Sequence, residues 1–313
     1  MDRLNAFLDN LSKQNNFSYY LSIFRIFIGF HIIKKIYLLW GSQSILLSNG
    51  VFFEHKDIFL DYLGIDSTLV LDYNTLFLST IVVTSILIIF GVGKNFTLIA
   101  LYLEMKILQD LTYPILNGGD NLLIFVLLYL IFSKCFDHFT LVKSEVKHGK
   151  LSLFVSNLAV YSICIHLGYV YFISAIHKIH SDVWFNGTAL YYIMNLERFE
   201  SPLNHYVSDS GFFTTMGTYF TLLFEMLFIF LVWNKHLKIV FLLSGILLHA
   251  GIYFFMMIYD FEIFFVSLYG FFISNLYWEK IVRYLDNQVM KIKSIYLKKS
   301  VTMKVGATEV LKK

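Results

Sequence analysis

An all-α polytopic membrane bundle of about eight transmembrane helices is the predicted fold class, and three observations predict it. Apolar residues make up 57% of the 313 residues and charged ones 15%, with mean hydropathy +0.65 and only 2 prolines, so lipid is the expected solvent. The apolar residues form continuous runs of about 20, not the weak alternating ten-residue segments of a barrel, and in lipid a continuous run satisfies its backbone only as a helix. Basic and acidic residues, finally, fall on alternate connections between the runs, as a chain threaded back and forth requires.

The expected spans, in order, are residues 17 to 40, 74 to 92, 96 to 113, 120 to 133, 151 to 177, 212 to 233, 237 to 258 and 261 to 277. The first contains Arg25 and is followed by no small-residue cleavage site, which disfavours a removable signal peptide. Residues 41 to 71 carry Glu54, His55, Lys56, Asp57, Asp61 and Asp66 and are too polar to span. They read as an external loop with a short helix, part of which could rest at the interface through Ile58, Leu60 and Leu63. The turn Asn117-Gly118-Gly119-Asp120-Asn121 opens the fourth span; its glycines permit positive φ, and Asp120 either caps the helix or lines a cavity. Residues 1 to 16 form a cytoplasmic segment, 17 to 277 the transmembrane domain, and 278 to 313 a basic cytoplasmic tail that is solvated or touches headgroups.

Orientation follows from the basic residues. An inside N-terminus puts Arg3, Lys13, Lys94, Lys134, Lys143, Lys147, Lys150, Lys235, Lys238 and the run from Lys280 to Lys313 on the cytoplasmic side. Glu54, Asp57, Asp61, Asp66, Glu197, Glu200, Asp209 and Asp260 then face outward, and both termini are cytoplasmic in a multi-pass protein of the cell membrane. Cys135 and Cys164 form neither a disulfide framework nor a CxxC motif and read as packing residues.

Ionisable groups at membrane depth are the main functional signal, because each costs about 2.5 to 3.5 kcal/mol at the bilayer centre and so faces a protein interior or a wet cavity. The spans hold Arg25, His31, Lys34, Lys35, Glu104, Lys106, Asp110, His166, His177, Glu225 and His249. Lys34 and Lys35 lie near a helix end and can snorkel, while Lys106 and Asp110, four apart, fit an intrahelical ion pair. Glu225 and His249 have no local partner, so their counter-groups must come from other helices. On the fifth span Leu167, Tyr171, Ser174, Lys178 and Asp182 share a stripe, with His166 and His177 beside it. Lys178 in an apolar, partly dehydrated setting would have its neutral amine favoured, as a base or nucleophile requires; alternatively it snorkels to outer headgroups with Asp182 as ion partner. His177 and His180 are three apart, but no HExxH or cysteine-based pattern supports them, so no metal is expected. There is no phosphate loop, dinucleotide fingerprint or hydrolase elbow, and no nucleic-acid partner is expected.

At these residues the chain resembles the horizontally transferred transmembrane domain family, the membrane portion shared with vitamin K-dependent gamma-carboxylases. The resemblance rests on Tyr171-Phe172-Ile173 leading to Lys178, then Asp182, Trp184 and Gly187, then Ser201-Pro202, with one more residue between Lys178 and Trp184 than the family pattern has. Weaker marks are Asn117 to Asp120 before a helix, Glu225 in the next span, and His249 followed by an aromatic-rich helix; together they cover roughly residues 15 to 277. The resemblance implies a lysine base, matched by Lys178, acting on a quinol at a site open to the outside, with His249 where the family has a histidine near the quinone. Among short members the chain is similar to the bacterial subgroup typified by sporulation-delaying protein B, which implies maturation of a secreted peptide toxin together with a small accessory protein.

Two functional expectations follow. In the first, Lys178 supported by His177, His180 and Asp120 performs base chemistry on an exported precursor peptide, with Tyr171, Trp184, Glu225 and His249 binding substrate. In the second, the same polar groups bind or transport a peptide or small molecule without covalent chemistry, although no inverted repeat is visible. A purely structural scaffold is the third and plainest reading.

Overall fold

The computed structural model describes residues 2–47, 58–62, 64, 66–141 and 148–310, and among them the chain is helical with no strand. Glu54, His55, Lys56, Asp57, Leu63, Lys143, Lys147, Lys312 and Lys313, which entered the loop and orientation assignments, lie outside the described residues. The chain divides into two compact units, residues 1–272 and 273–313.

The first unit begins with α1 (Asp2–Lys13) and α2 (Ser18–Trp40). Three short helices follow, α3 (Gln43–Leu46), α4 (Ile58–Tyr62) and α5 (Ser67–Asp72), where one had been expected. Asp66 caps α5 by accepting from the Thr68 amide at 2.9 Å. Next come α6 (Asn74–Phe90), α7 (Asn95–Leu111) and α8 (Gly118–Phe132), then α9 (Lys150–Ile179), the longest helix of this unit. A polar connection holds α10 (Asp182–Phe185), α11 (Ala189–Met194) and α12 (His205–Ser208), and the unit closes with α13 (Gly211–Leu231), α14 (Lys238–Met256) and α15 (Tyr259–Leu268). The second unit is built on α16 (Asn275–Val310).

Seven of the expected runs appear as single helices with ends shifted by a few residues. The eighth does not: residues 261 to 277 are α-helical only to Leu268, tighten into a 3-10 turn at Tyr269–Phe272, and resume helix at Asn275. Gly270 sits in that turn with the Tyr20 ring against it, so close that a Cβ there would lie 1.9 Å from the ring, and a regular side chain has no room. By length and composition α9, α13 and α14 can each cross a membrane; α6 and α8 are apolar but shorter. α2 has the length, 23 residues, but carries Arg25, Lys34 and Lys35.

α9 is the organising helix. Its buried Asn157 donates to the carbonyls of Leu11 and Gln14, both at 2.8 Å, and accepts from the Asn16 amide at 2.9 Å, so the N-terminal segment is docked rather than free. α8 and α13 pack on α9, α6 packs on α2, and α14 packs on α15. Gly168 brings α13 close to α9, since a Cβ there would meet Ile229 at 2.9 Å.

Arg25 is fully buried and reaches no carboxylate among the described residues. Its guanidinium donates to the carbonyls of Ile88, Ile89 and Cys135, and to those of His138 and Phe139 at 3.2 and 2.8 Å, with the Phe136 ring 5.0 Å away. These oxygens end α6 or belong to the turn after α8, where helices leave carbonyls without partners and the macrodipole favours a cation. One side chain therefore ties the end of α6 to the turn that follows α8.

Candidate functional site

Lys178 stands on the last turn of α9, where the expected stripe holds in part: Leu167 and Tyr171 are buried and Ser174 and Lys178 half-buried, whereas Asp182 lies beyond this helix, in α10, and is exposed. The close α9–α13 approach turns Glu225 of α13 toward it. Lys178 Nζ and Glu225 Oε1 form an ion pair, with side chains 24% and 8% exposed. The chain then turns through Ile179 to Ser181 and α10 lays the Trp184 ring 5.0 Å from the same ammonium. An ion pair roofed by an aromatic face is well solvated by protein groups, and removing either partner would strand the other charge at a cost of about 3–5 kcal/mol.

The pair sits on the wall of a cavity of about 680 Å³. Apart from Lys178, Glu225 and a few hydroxyls, its lining is apolar, including Trp184, Phe213, Phe220 and Phe255 from α10, α13 and α14. The α10–α12 connection forms the remaining wall through Leu190, Met194 and Tyr206. That connection is held down by side-chain bonds. Asn204 donates to the carbonyls of Met194 and Phe199 at 2.9 and 2.7 Å, Ser201 donates to the Phe254 carbonyl at 3.2 Å, and Thr218 accepts from the Leu190 amide at 3.2 Å. Gly187 adopts φ 73°, which a residue with a side chain rarely does, and so lets the chain turn tightly against Tyr219. Glu225 Oε2 is buried and accepts no hydrogen bond among the described residues.

A second polar network is buried beside the cavity and does not line it. The Tyr171 hydroxyl lies 2.5 Å from His249 Nε2 and 2.7 Å from the Tyr269 hydroxyl, and His249 Nδ1 bonds Glu262 Oε2. All four residues are at most 4% exposed. A neutral ring protonated at Nδ1 satisfies the chain, donating to Glu262 and accepting from Tyr171. Gly245, one turn before His249, makes room for Tyr269: a Cβ there would fall 2.2 Å from its hydroxyl oxygen.

The structure thus brings together Lys178, Glu225 and Trp184, and separately Tyr171 and His249. Partners from other helices, expected for Glu225 and His249, are found in Lys178, Tyr171 and Glu262. Several expectations are corrected. His177 and His180 are exposed and neither lines the cavity, His180 Nδ1 lying 2.7 Å from the Ile176 carbonyl. Asp182 is exposed, and Glu225 takes the place proposed for it as the lysine's ion partner. Lys178 is consequently not a lone amine in an apolar setting but a member of a pair. Asp120 lies away from Lys178. Asn117 is the cap and Asp120 the third residue of a capping box, accepting from the Asn117 amide at 3.0 Å while pairing with Lys35. Gly118 and Gly119 keep negative φ; their use is close packing, Phe261 lying 3.5 and 3.0 Å from their Cβ positions.

Lys34 pairs with Asp260 at 2.5 Å, so the two lysines at the end of α2 meet carboxylates of α15 and α8. The Lys106–Asp110 pair is present, and Glu104 accepts from Thr84 at 2.5 Å. Sequence reasoning passed over Glu262 and Tyr269. The one available signal was an acid at the second position of the expected eighth span, a place where a helix N-terminus alone accounts for it.

Among the described residues no three His, Cys, Asp or Glu side chains are grouped to hold a metal ion. Both cysteines are free and buried, and burial pushes the Cys135 thiol up to about 11. No protein-family model matches the chain, and neither does any curated protein or solved structure.

Proposed function

We propose that the chain is a polytopic membrane protein of about eight spans, both termini cytoplasmic, that performs carboxylase-like base chemistry during maturation of an exported precursor peptide. The observation that carries this reading is the Lys178–Glu225 pair on the wall of a large apolar cavity. The pair carries no net charge into a dehydrated chamber. With its own proton passed to Glu225, Lys178 would take a proton from a substrate O–H or N–H, becoming an ammonium while the new anion stays beside it. Trp184 then faces the ammonium, and the apolar lining excludes water that would otherwise return the proton.

The co-substrate implied by the family resemblance is a quinol, and the cavity fits it. The lining is aromatic and apolar, the volume of about 680 Å³ accommodates a ring with a hydrocarbon chain, and Glu225 has one oxygen without a partner to accept from a phenolic hydroxyl. Lys178, Glu225 and Trp184 would hold the ring, and the group would supply oxygen-dependent generation of a stronger base. Tyr171 and His249 bind no ligand directly in this reading; they brace α9 against α14. A small accessory protein and the lipid bilayer are the proposed partners.

The test is Lys178→Ala assayed for peptide maturation by mass. Maturation per molecule of membrane-inserted variant should be lost, including in Lys178→Ala/Glu225→Gln, where no charge is stranded. A normally processed peptide would show that Lys178 is not the base. A second reading, binding or transport without chemistry, is favoured by the already satisfied ion pair, and in that case Lys178→Ala leaves the mass of any bound peptide unaltered while weakening its retention.

A further inference from the structure

The long helix of the second unit presents two opposed faces. At about 100° per residue, Ile281, Leu285, Val289 and Ile292 project within about 80° of one another. All four are exposed, at 46%, 55%, 48% and 53%. Lys280, Arg283, Asn287 and Lys291 occupy the opposite face. Over its whole length α16 carries seven basic residues, from Lys280 to Lys304, against three acidic ones, Glu279, Asp286 and Glu309. So many charges prevent it from spanning a bilayer, yet an apolar stripe of this kind does not stay in water by preference.

We infer that α16 is a membrane-surface helix that lies on anionic lipid, its Ile281–Ile292 stripe in the acyl boundary and its basic face among phosphate headgroups. Three observations favour this occupant. The net positive charge complements anionic headgroups and would oppose pairing of two copies of the same helix. The helix starts three residues after Phe272, the end of the aromatic segment that closes the first unit, so it follows directly in the chain on a segment proposed to lie in the membrane. Tyr277, Trp278 and Tyr284 cluster in its first turns, the residue types that favour the interface. The proposal rests on residence in the membrane but not on any chemistry at Lys178.

The test uses the full chain in vesicles of phosphatidylcholine with or without phosphatidylglycerol. Leu285→Cys and Asn287→Cys each receive an environment-sensitive fluorophore, the buried Cys135 and Cys164 being shielded from it. With phosphatidylglycerol the label at 285 should shift to the blue and be quenched by nitroxide lipids, and the label at 287 should stay open to aqueous quenchers. Added salt should weaken the shift, since the attraction is screened. Equal aqueous quenching at both positions would overturn the proposal. So would shielding of position 285 that is indifferent to lipid charge and accompanied by crosslinking of Leu285→Cys between copies, the signature of a helix dimer. Because neither position touches the cavity, failure here leaves the maturation assay unaffected.

Discussion

At the scale of single residues, two cations are held by opposite means. Lys178 is neutralised by one carboxylate, so Lys178→Ala strands Glu225 and should lower stability by about 3 kcal/mol, read as a fall in melting temperature in detergent. Lys178→Ala/Glu225→Gln should regain most of that stability without regaining peptide maturation, which separates folding from chemistry in one experiment. Arg25 is satisfied by carbonyls alone, and five of them depend on a planar fork that lysine cannot reproduce. Arg25→Lys should therefore fail to substitute, costing at least about 3 kcal/mol through unpaired buried oxygens, with the loss visible as reduced yield of folded protein. Both cations were legible in the sequence as groups that lipid does not accept singly. Their partners were not, because Glu225 lies 47 residues from Lys178 and the carbonyls that receive Arg25 belong to every sequence alike.

At the scale of elements, glycines decide how near helices come. Gly245 leaves α14 open for Tyr269, whose hydroxyl completes the chain from Glu262 through His249 and Tyr171. Gly245→Ala should displace that ring and cost about 1–3 kcal/mol, and Gly245→Ala/Tyr269→Phe should recover part of it, as thermal unfolding of the two variants would register. The apolar runs themselves announced α2, α6, α7, α8, α9, α13 and α14, since continuous hydrophobicity has one backbone solution in lipid. The break after Leu268 was not announced: the residues there are as apolar as those around them, and the tightened turn is where the Tyr20 ring packs against Gly270. The same limit applies to His177 and His180. Nearness to Lys178 in the chain suggested a shared site, whereas the packing of α9 leaves them exposed and outside the cavity lining.

For the whole molecule, the candidate functional element is a volume rather than a motif. α9, α13, α14 and the α10–α12 connection enclose about 680 Å³ with one ion pair on its wall. A short-chain quinol should raise the melting temperature of the parent protein, by an amount worth about 2.7 kcal/mol at a hundredfold excess over its dissociation constant. The shift should vanish when Gly217→Leu fills the cavity, and an unchanged melting temperature in the parent protein would separate the cavity from quinol binding. By itself the sequence determined an all-helical chain with membrane-length apolar segments, and a set of ionisable residues whose dehydration demanded partners from elsewhere, because composition and run length act locally along the chain. Only the tertiary structure decided which partners those are, that Asp120 serves Lys35 and not Lys178, that Glu262 and Tyr269 join His249, and that a cavity stands behind the lysine. Such pairings depend on the rotation and spacing of packed helices, which arise from side chains far apart in sequence and have no signature in any one segment.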